Sequence, residues 1–154
     1  MRLALDWGRA RIGVAACDAD GILAYPVETI ATRDQPLRRV VALVAEYEPI
    51  EVLLGLPRAL SGTDGPAAEA MRLVADDLAW ALHPIPVCLV DERMSTVVAA
   101  RNLSAAGKDS RHRRGMIDQA AAVAILEHAL EIERSTGRPS GSAVVVAERE
   151  GGRS

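Results

Sequence analysis

Near the N-terminus a short apolar run, Leu3-Ala4-Leu5, stops at a carboxylate, Asp6, with Gly8 close behind. Such a run reads as a buried strand. An ionised carboxylate beside a core is costly unless something pairs with it. The event recurs twice. Val87-Cys88-Leu89-Val90 runs into Asp91-Glu92-Arg93, and Asp118 heads the helical stripe Ala122, Ile125, Ala129, Ile132. Three acids from distant parts of the chain, each at the end of a core element, could converge on a divalent metal. Each alone has an ordinary explanation: Asp6 as a turn former, Asp118 as an acid favoured by the helix dipole, and 91–93 as a solvated strand end.

The chain has 154 residues, enough for one domain with a real core. Phenylalanine is absent and aromatics make up 3%, so the core is built from Ala, Val, Leu and Ile. Scarce aromatics also exclude a base-stacking platform for single strands. The formal charge of −3 excludes non-specific coating of nucleic acid by bulk charge. Cys17 and Cys88 each lie in an apolar run and read as buried thiols of a reducing compartment. No Cys/His cluster suggests zinc, and His83, His112 and His128 have no ligand spacing. With no signal peptide and no run of membrane-spanning length, a cytoplasmic protein is expected.

Taken in order, Arg2–Leu5, Arg11–Cys17 and Ile22–Ile30 read as three strands joined by short turns, the third an edge because of Pro26. Helical spacing follows over Pro36–Tyr47, with Thr32 or Asp34 as cap. Ile50–Leu54 is a strand, Pro66–Leu82 a helix opened by its proline, and Pro86–Val90 a strand. Ser95 to about Leu103 reads as a short helix, Ser104–Arg114 as a polar basic loop, and Met116–Glu133 as the last helix. The expected domain covers 1–134, with a mostly disordered Ser/Gly/Pro/Arg-rich tail over 135–154. The order predicts an α/β fold: a mixed five-stranded sheet, formed by an antiparallel meander and two parallel crossover strands, with helices on both faces. Sites in such sheets form beyond the carboxyl ends of the parallel strands, where Asp6, Gly55 and Glu92 lie.

Carboxylates without histidine or cysteine suit Mg2+ or Mn2+. Two such ions about 4 Å apart can activate water and stabilise a leaving oxygen in phosphodiester cleavage. Basic residues complement them. Arg101, Lys108, Arg111, Arg113 and Arg114 stand against Asp109 just before Asp118, and Arg9, Arg11, Arg58 and Arg93 lie near other strand ends. A phosphate-backbone substrate needs such a setting. The loop Ser61-Gly62-Thr63-Asp64-Gly65 precedes a helix but lacks the lysine of a P-loop.

Several segments together resemble the YqgF/RuvX family. They are Leu5-Asp6-Trp7-Gly8 with Arg11-Ile12-Gly13-Val14-Ala15, Leu54-Gly55-Leu56-Pro57 with Gly62, Asp91-Glu92-Arg93-Met94-Ser95-Thr96, and Asp118-Gln119-Ala120-Ala121-Ala122. The resemblance runs from the first strand to about Leu130. It implies a ribonuclease H-like fold and a metal-dependent nuclease acting in maturation of the 16S ribosomal RNA precursor, with Holliday-junction resolution as the older proposal. It makes Asp6, Glu92 and Asp118 the catalytic and metal-binding acids. Arg9, Arg11, Arg93, Arg113 and Arg114 are the expected phosphate contacts. Ala10 stands where the family often has a basic residue, and Arg9 is the nearest substitute. Sequence leaves open whether Asp91 or Glu92 faces the metal, and whether the substrate is RNA or DNA. A junction resolvase cuts two symmetric strands and would be a homodimer. The competing expectations are a non-catalytic nucleic-acid-binding module and a fragment related to actin-like ATPases, which share an Asp-x-Gly opening.

Overall fold

Period-two alternation divides the strand residues between two helical layers. The computed structural model describes residues 1–8, 10–56, 66–91, 111–138 and 142–144, with the side chains of 56, 66–68, 91, 111–118 and 142 left aside. Its elements are β1 (Arg2–Trp7), β2 (Arg11–Cys17), β3 (Ala24–Ala31), α1 (Pro36–Tyr47), β4 (Glu51–Leu56), α2 (Pro66–Leu82), β5 (Val87–Asp91), α3 (Arg111–Thr136) and β6 (Ser142–Ala143). The sheet order is β3-β2-β1-β4-β5-β6. β1, β2 and β3 form the expected antiparallel meander, and β1, β4 and β5 run parallel.

Leu3, Leu5, Ile12, Val14, Val52, Leu54 and Val87 pack with Val40 and Leu43 of α1 and with Ala75, Leu78 and Leu82 of α2. On the other face Ala4, Ala15, Cys17, Leu53, Cys88 and Val90 meet Ala122, Ile125, Leu126, Ala129 and Leu130 of α3. The central strands are covered on both faces, which is why β1 and β4 read as continuous apolar runs. Small residues on both sides of the second interface let α3 lie close to the sheet.

The sequence expectations hold for five strands and for the bounds of α1 and α2. Pro26 sits on an edge strand as expected, beside a register shift that sets Val14 opposite Glu28 and Ala15 opposite Pro26. Four details differ. First, the sheet has six strands rather than five. Ser142–Ala143 pairs antiparallel with β5, inside the stretch expected to be a tail, and the Val144 N–H donates to the Val87 carbonyl at 2.8 Å. Two residues carry no readable alternation. Second, α3 starts at Arg111, inside the expected basic loop, and ends at Thr136. Its end is Gly137, which takes φ +70° and donates its N–H to the Glu133 carbonyl. Third, neither Thr32 nor Asp34 caps α1. The cap position is Gln35 at φ 50°, with no side-chain cap bond, ahead of Pro36. Proline has no N–H to satisfy, and the residue before it is driven from the right-handed helical region. Fourth, β2 has its expected bounds, whereas β1, β3, β4 and β5 begin or end one or two residues from theirs. The short helix expected from Ser95 lies outside the described residues, as does the rest of 139–154. Among the described residues no helix is long and apolar enough to cross a membrane.

One guanidinium ties the sheet to α3 at the end where β1 begins. Arg2 Nε donates to Glu51 Oε1 at 2.5 Å, and its terminal nitrogen reaches Glu133 Oε1 at 3.1 Å. The Cys88 thiol donates to Glu51 Oε2 at 3.4 Å. Both cysteines are free and buried. Burial pushes the Cys88 thiol up to about 11, and the Glu51 carboxylate adds to the shift.

Two expectations follow. The stability contributed by the protonated Cys88 thiol is complete below the ordinary thiol value of 9.0 and disappears as pH rises through about 11. Native protein therefore labels slowly at Cys88 with a thiol-specific dye near neutrality and quickly only well into the alkaline range; fast labelling of Cys88 at neutral pH contradicts this. At the β1–β2 turn, a Cβ on Gly8 would stand 2.7 Å from the Arg11 carbonyl oxygen. Gly8→Ala should cost about 1–3 kcal/mol in urea unfolding, as overpacking does.

Candidate functional site

Asp6 is 4% exposed, the one buried charged residue among the described residues. Its neighbours follow from register. Asp6 is opposite Gly13 on β2, and Gly13 is opposite Thr29 on β3. Leu5 lies beside Leu54 on β4, so one residue further Asp6 lies beside Gly55, which pairs with Val90 on β5. Registered neighbours share a face. The row across the α3 face is therefore Thr29, Gly13, Asp6, Gly55, Val90. A side chain at either glycine would stand about 5 Å from the Asp6 Cβ. Neither glycine places a side chain beside the carboxylate on the sheet.

α3 runs antiparallel to β1 over this row. Its C-terminal part meets Arg2 through Glu133, and near its other end Gln119 Nε2 donates to Thr29 Oγ1 at 2.9 Å. Residue 119 thus lies over the row that contains Asp6. Asp118 is its neighbour in the helix, one turn before the buried Ala122. The structure so brings the strand that carries Asp6 and the helical turn that carries Asp118 to one end of the molecule. β5 ends there too, at Asp91, two strands from β1 and hence about 10 Å away. Glu92 lies outside the described residues. Among the described residues no group of three His, Cys, Asp or Glu could hold a metal ion.

Of the expected phosphate contacts, Arg11 is partly buried at the start of β2, two residues before Gly13 and on the same face. Arg113 and Arg114 fall in the first turn of α3, not in a loop. Arg9 and Arg93 lie outside the described residues, as do Arg58 and the loop 61–65.

The Gln119–Thr29 bond was not expected from sequence. The available signal was the stripe 119, 122, 126, 129, 130, which starts with a polar residue and continues with buried ones. We expect Gln119→Leu to cost about 0.5–1.5 kcal/mol in urea unfolding. Thr29→Val should add little to it in a double-mutant cycle; fully additive losses would show that the two side chains do not act together.

A family model described as "RuvX: Holliday junction resolvase" matches residues 1–132. A Streptomyces coelicolor protein named "Putative pre-16S rRNA nuclease" is 59% identical over 147 residues, covering 94% of this chain and 88% of that one. A Cutibacterium acnes protein of the same name is 60% identical over 131 residues, covering 85% and 82%. Among solved structures, that of Thermus thermophilus RuvC is similar in fold, with a TM-score of 0.51 at 16% identity, covering 92% of this chain and 99% of that one.

Proposed function

The chain belongs to the RuvX family, and from that footing we propose that it is a divalent-metal-dependent nuclease that cleaves the 16S ribosomal RNA precursor. The observation that carries this reading is Asp6: a buried carboxylate, flanked by Gly13 and Gly55, below the end of the helix that bears Asp118. The residues fit a hard cation. Neither Gly13 nor Gly55 puts a side chain beside the buried carboxylate on the sheet, and the proposed donors are carboxylate oxygens throughout.

Asp6, Glu92 and Asp118 would hold Mg2+ or Mn2+. Glu92 is taken over Asp91 because the segment Asp91-Glu92-Arg93-Met94-Ser95-Thr96 resembles the family's own. When bound, the metal lowers the pKa of a coordinated water and offsets charge on the phosphate and leaving oxygens. In this reading the chain's own part is to supply three acids at one end of the sheet, the buried Asp6 among them. Arg11, at the rim of the same face, would hold a phosphate oxygen through its guanidinium fork, and Arg9, Arg93, Arg113 and Arg114 would extend that grip. Free, buried Cys17 and Cys88 suit a reducing cytoplasm.

A second reading, resolution of four-way DNA junctions, is favoured by the description of the matching family model. It requires two copies acting on symmetric strands. Cleavage of a precursor ribosomal RNA beside a four-way DNA junction, each with and without Mg2+, separates the two. Product from the RNA alone supports the first reading; product from the junction alone replaces it with the second. No metal-dependent product from either leaves a binding module.

Asp6→Asn should retain the unfolding profile of the parent or exceed it. It should lose more activity than the roughly 10–100-fold that removal of a ligand's supporting partner costs. Its heat of Mn2+ binding by calorimetry should fall with the activity. Full cleavage by Asp6→Asn removes this residue from the metal site.

A further inference from the structure

Arg33, Arg38 and Arg39 take no part in the site above, yet they stand at the same end of the sheet. The chain leaves β3 at Ala31 and turns, with the Asp34 N–H donating to the Ala31 carbonyl at 3.1 Å. The Thr32 N–H donates to the Ala10 carbonyl at 3.0 Å, which laces this turn to the β1–β2 hairpin. Two concavities meet at Arg33. One, of about 360 Å³, is lined by Ala10, Arg11, Ala31, Thr32 and Arg33. The other, of about 490 Å³, is lined by Arg33, Asp34, Gln35, Arg38, Arg39 and Ala42. Sharing Arg33, the two linings run from the rim of the Asp6 face to the first turn of α1, and are called the trough. It begins at Arg11, two residues and one strand from Asp6, about 8 Å between Cα atoms.

The charges in the trough are not equivalent. Arg39 is already neutralised, with two guanidinium nitrogens on the Glu28 carboxylate at 2.8 and 2.6 Å. Arg33 and Arg38 are exposed, and among the described residues neither meets a carboxylate; Arg38 reaches only the Gln35 side-chain oxygen, at 3.3 Å. Asp34 is the acid in the lining. No aromatic residue lines either concavity, so the trough offers nothing to stack a base on. Nor does it offer an apolar anchor larger than alanine for a peptide. What it offers is guanidinium donors along a path, the chemistry that grips successive phosphates.

We propose that this trough holds the phosphodiester backbone of a double-stranded RNA flank next to the cleaved position, with Arg33 and Arg38 as phosphate contacts. The proposal rests on the nuclease reading for the position of the scissile bond. It adds an extended contact surface on α1 and on the turn before it. The surface sets where along a structured RNA the acids act, since phosphate contacts fix register.

The test is binding of a fluorescein-labelled RNA duplex with a single-stranded extension, read by anisotropy in EDTA at increasing KCl. Losing two phosphate contacts should weaken binding of R33Q/R38Q about tenfold at roughly 100 mM salt. It should also lower the slope of log affinity against log salt by roughly 1.4–1.8. R33K/R38K keeps both charges and should restore the slope, and R39Q, whose charge is spent on Glu28, should leave it nearly unchanged. These residues are exposed, so all three variants should match the parent in circular dichroism. An unchanged slope in R33Q/R38Q overturns the proposal, and so does a loss in R39Q as large as in the pair. The two readings fail separately. If the parent cleaves RNA with Mg2+ and the slope does not move, the trough falls and the nuclease stands. If the slope falls and the parent yields no product from any substrate, the trough stands as a binding surface and the nuclease reading falls.

Discussion

Keeping Asp6 out of water is the constraint on which the molecule's arrangement depends. The three residues before it are wholly buried. An ion removed from water loses several kcal/mol of solvation even after the protein relaxes. That cost shapes the neighbours. Gly13 and Gly55 present no side chain to the carboxylate, and the helix above carries a second acid at 118. In the proposed nuclease, a cation held between two acids at one end of a core would relieve the burial cost and their mutual repulsion together.

The two faces of the sheet are built differently. Toward α1 and α2 it presents Leu, Ile and Val, which fill volume. Toward α3 it presents mainly Ala, Gly and Cys, with alanines again on the helix. A chain without phenylalanine has few ways to fill a thick interlayer. This one uses branched aliphatics on one side and close approach on the other. Close approach is what seats the backbone of α3 against the strands that flank Asp6.

Much of the fold was legible because its signals are local. Pro36 and Pro66 open their helices, Glu48-Pro49 and His83-Pro84 close them, and Leu3-Ala4-Leu5 and Val52-Leu53-Leu54 declare central strands. The start of α3 was not legible, since Arg111-His112-Arg113-Arg114 has no apolar period. β6 was not legible either, because its pairing comes from β5 and not from its own two residues. At the site, Asp6 stood out as a charge in a core strand. The Thr29–Gln119 bond depends on a register that shifts at the Val14/Ala15 step and on the rotation of a helix from the far end of the chain. No local pattern encodes either. The arginines of the trough were hidden for a similar reason: Arg33 and Arg38 become neighbours of Arg11 only once β3 closes onto β2.

The salt link from Arg2 to Glu133 gives α3 the mechanics of a lever. The anchored residue and Asp118 are about 22 Å apart along a helix. A tilt of roughly 3° about the anchored end would swing the backbone at 118 by about 1 Å. Gln119 is the stop at the swinging end. The distant ion pair and the near amide together define one angle, so the tilt of α3 over the sheet is set partly at the far end of the helix, by the second residue of the chain.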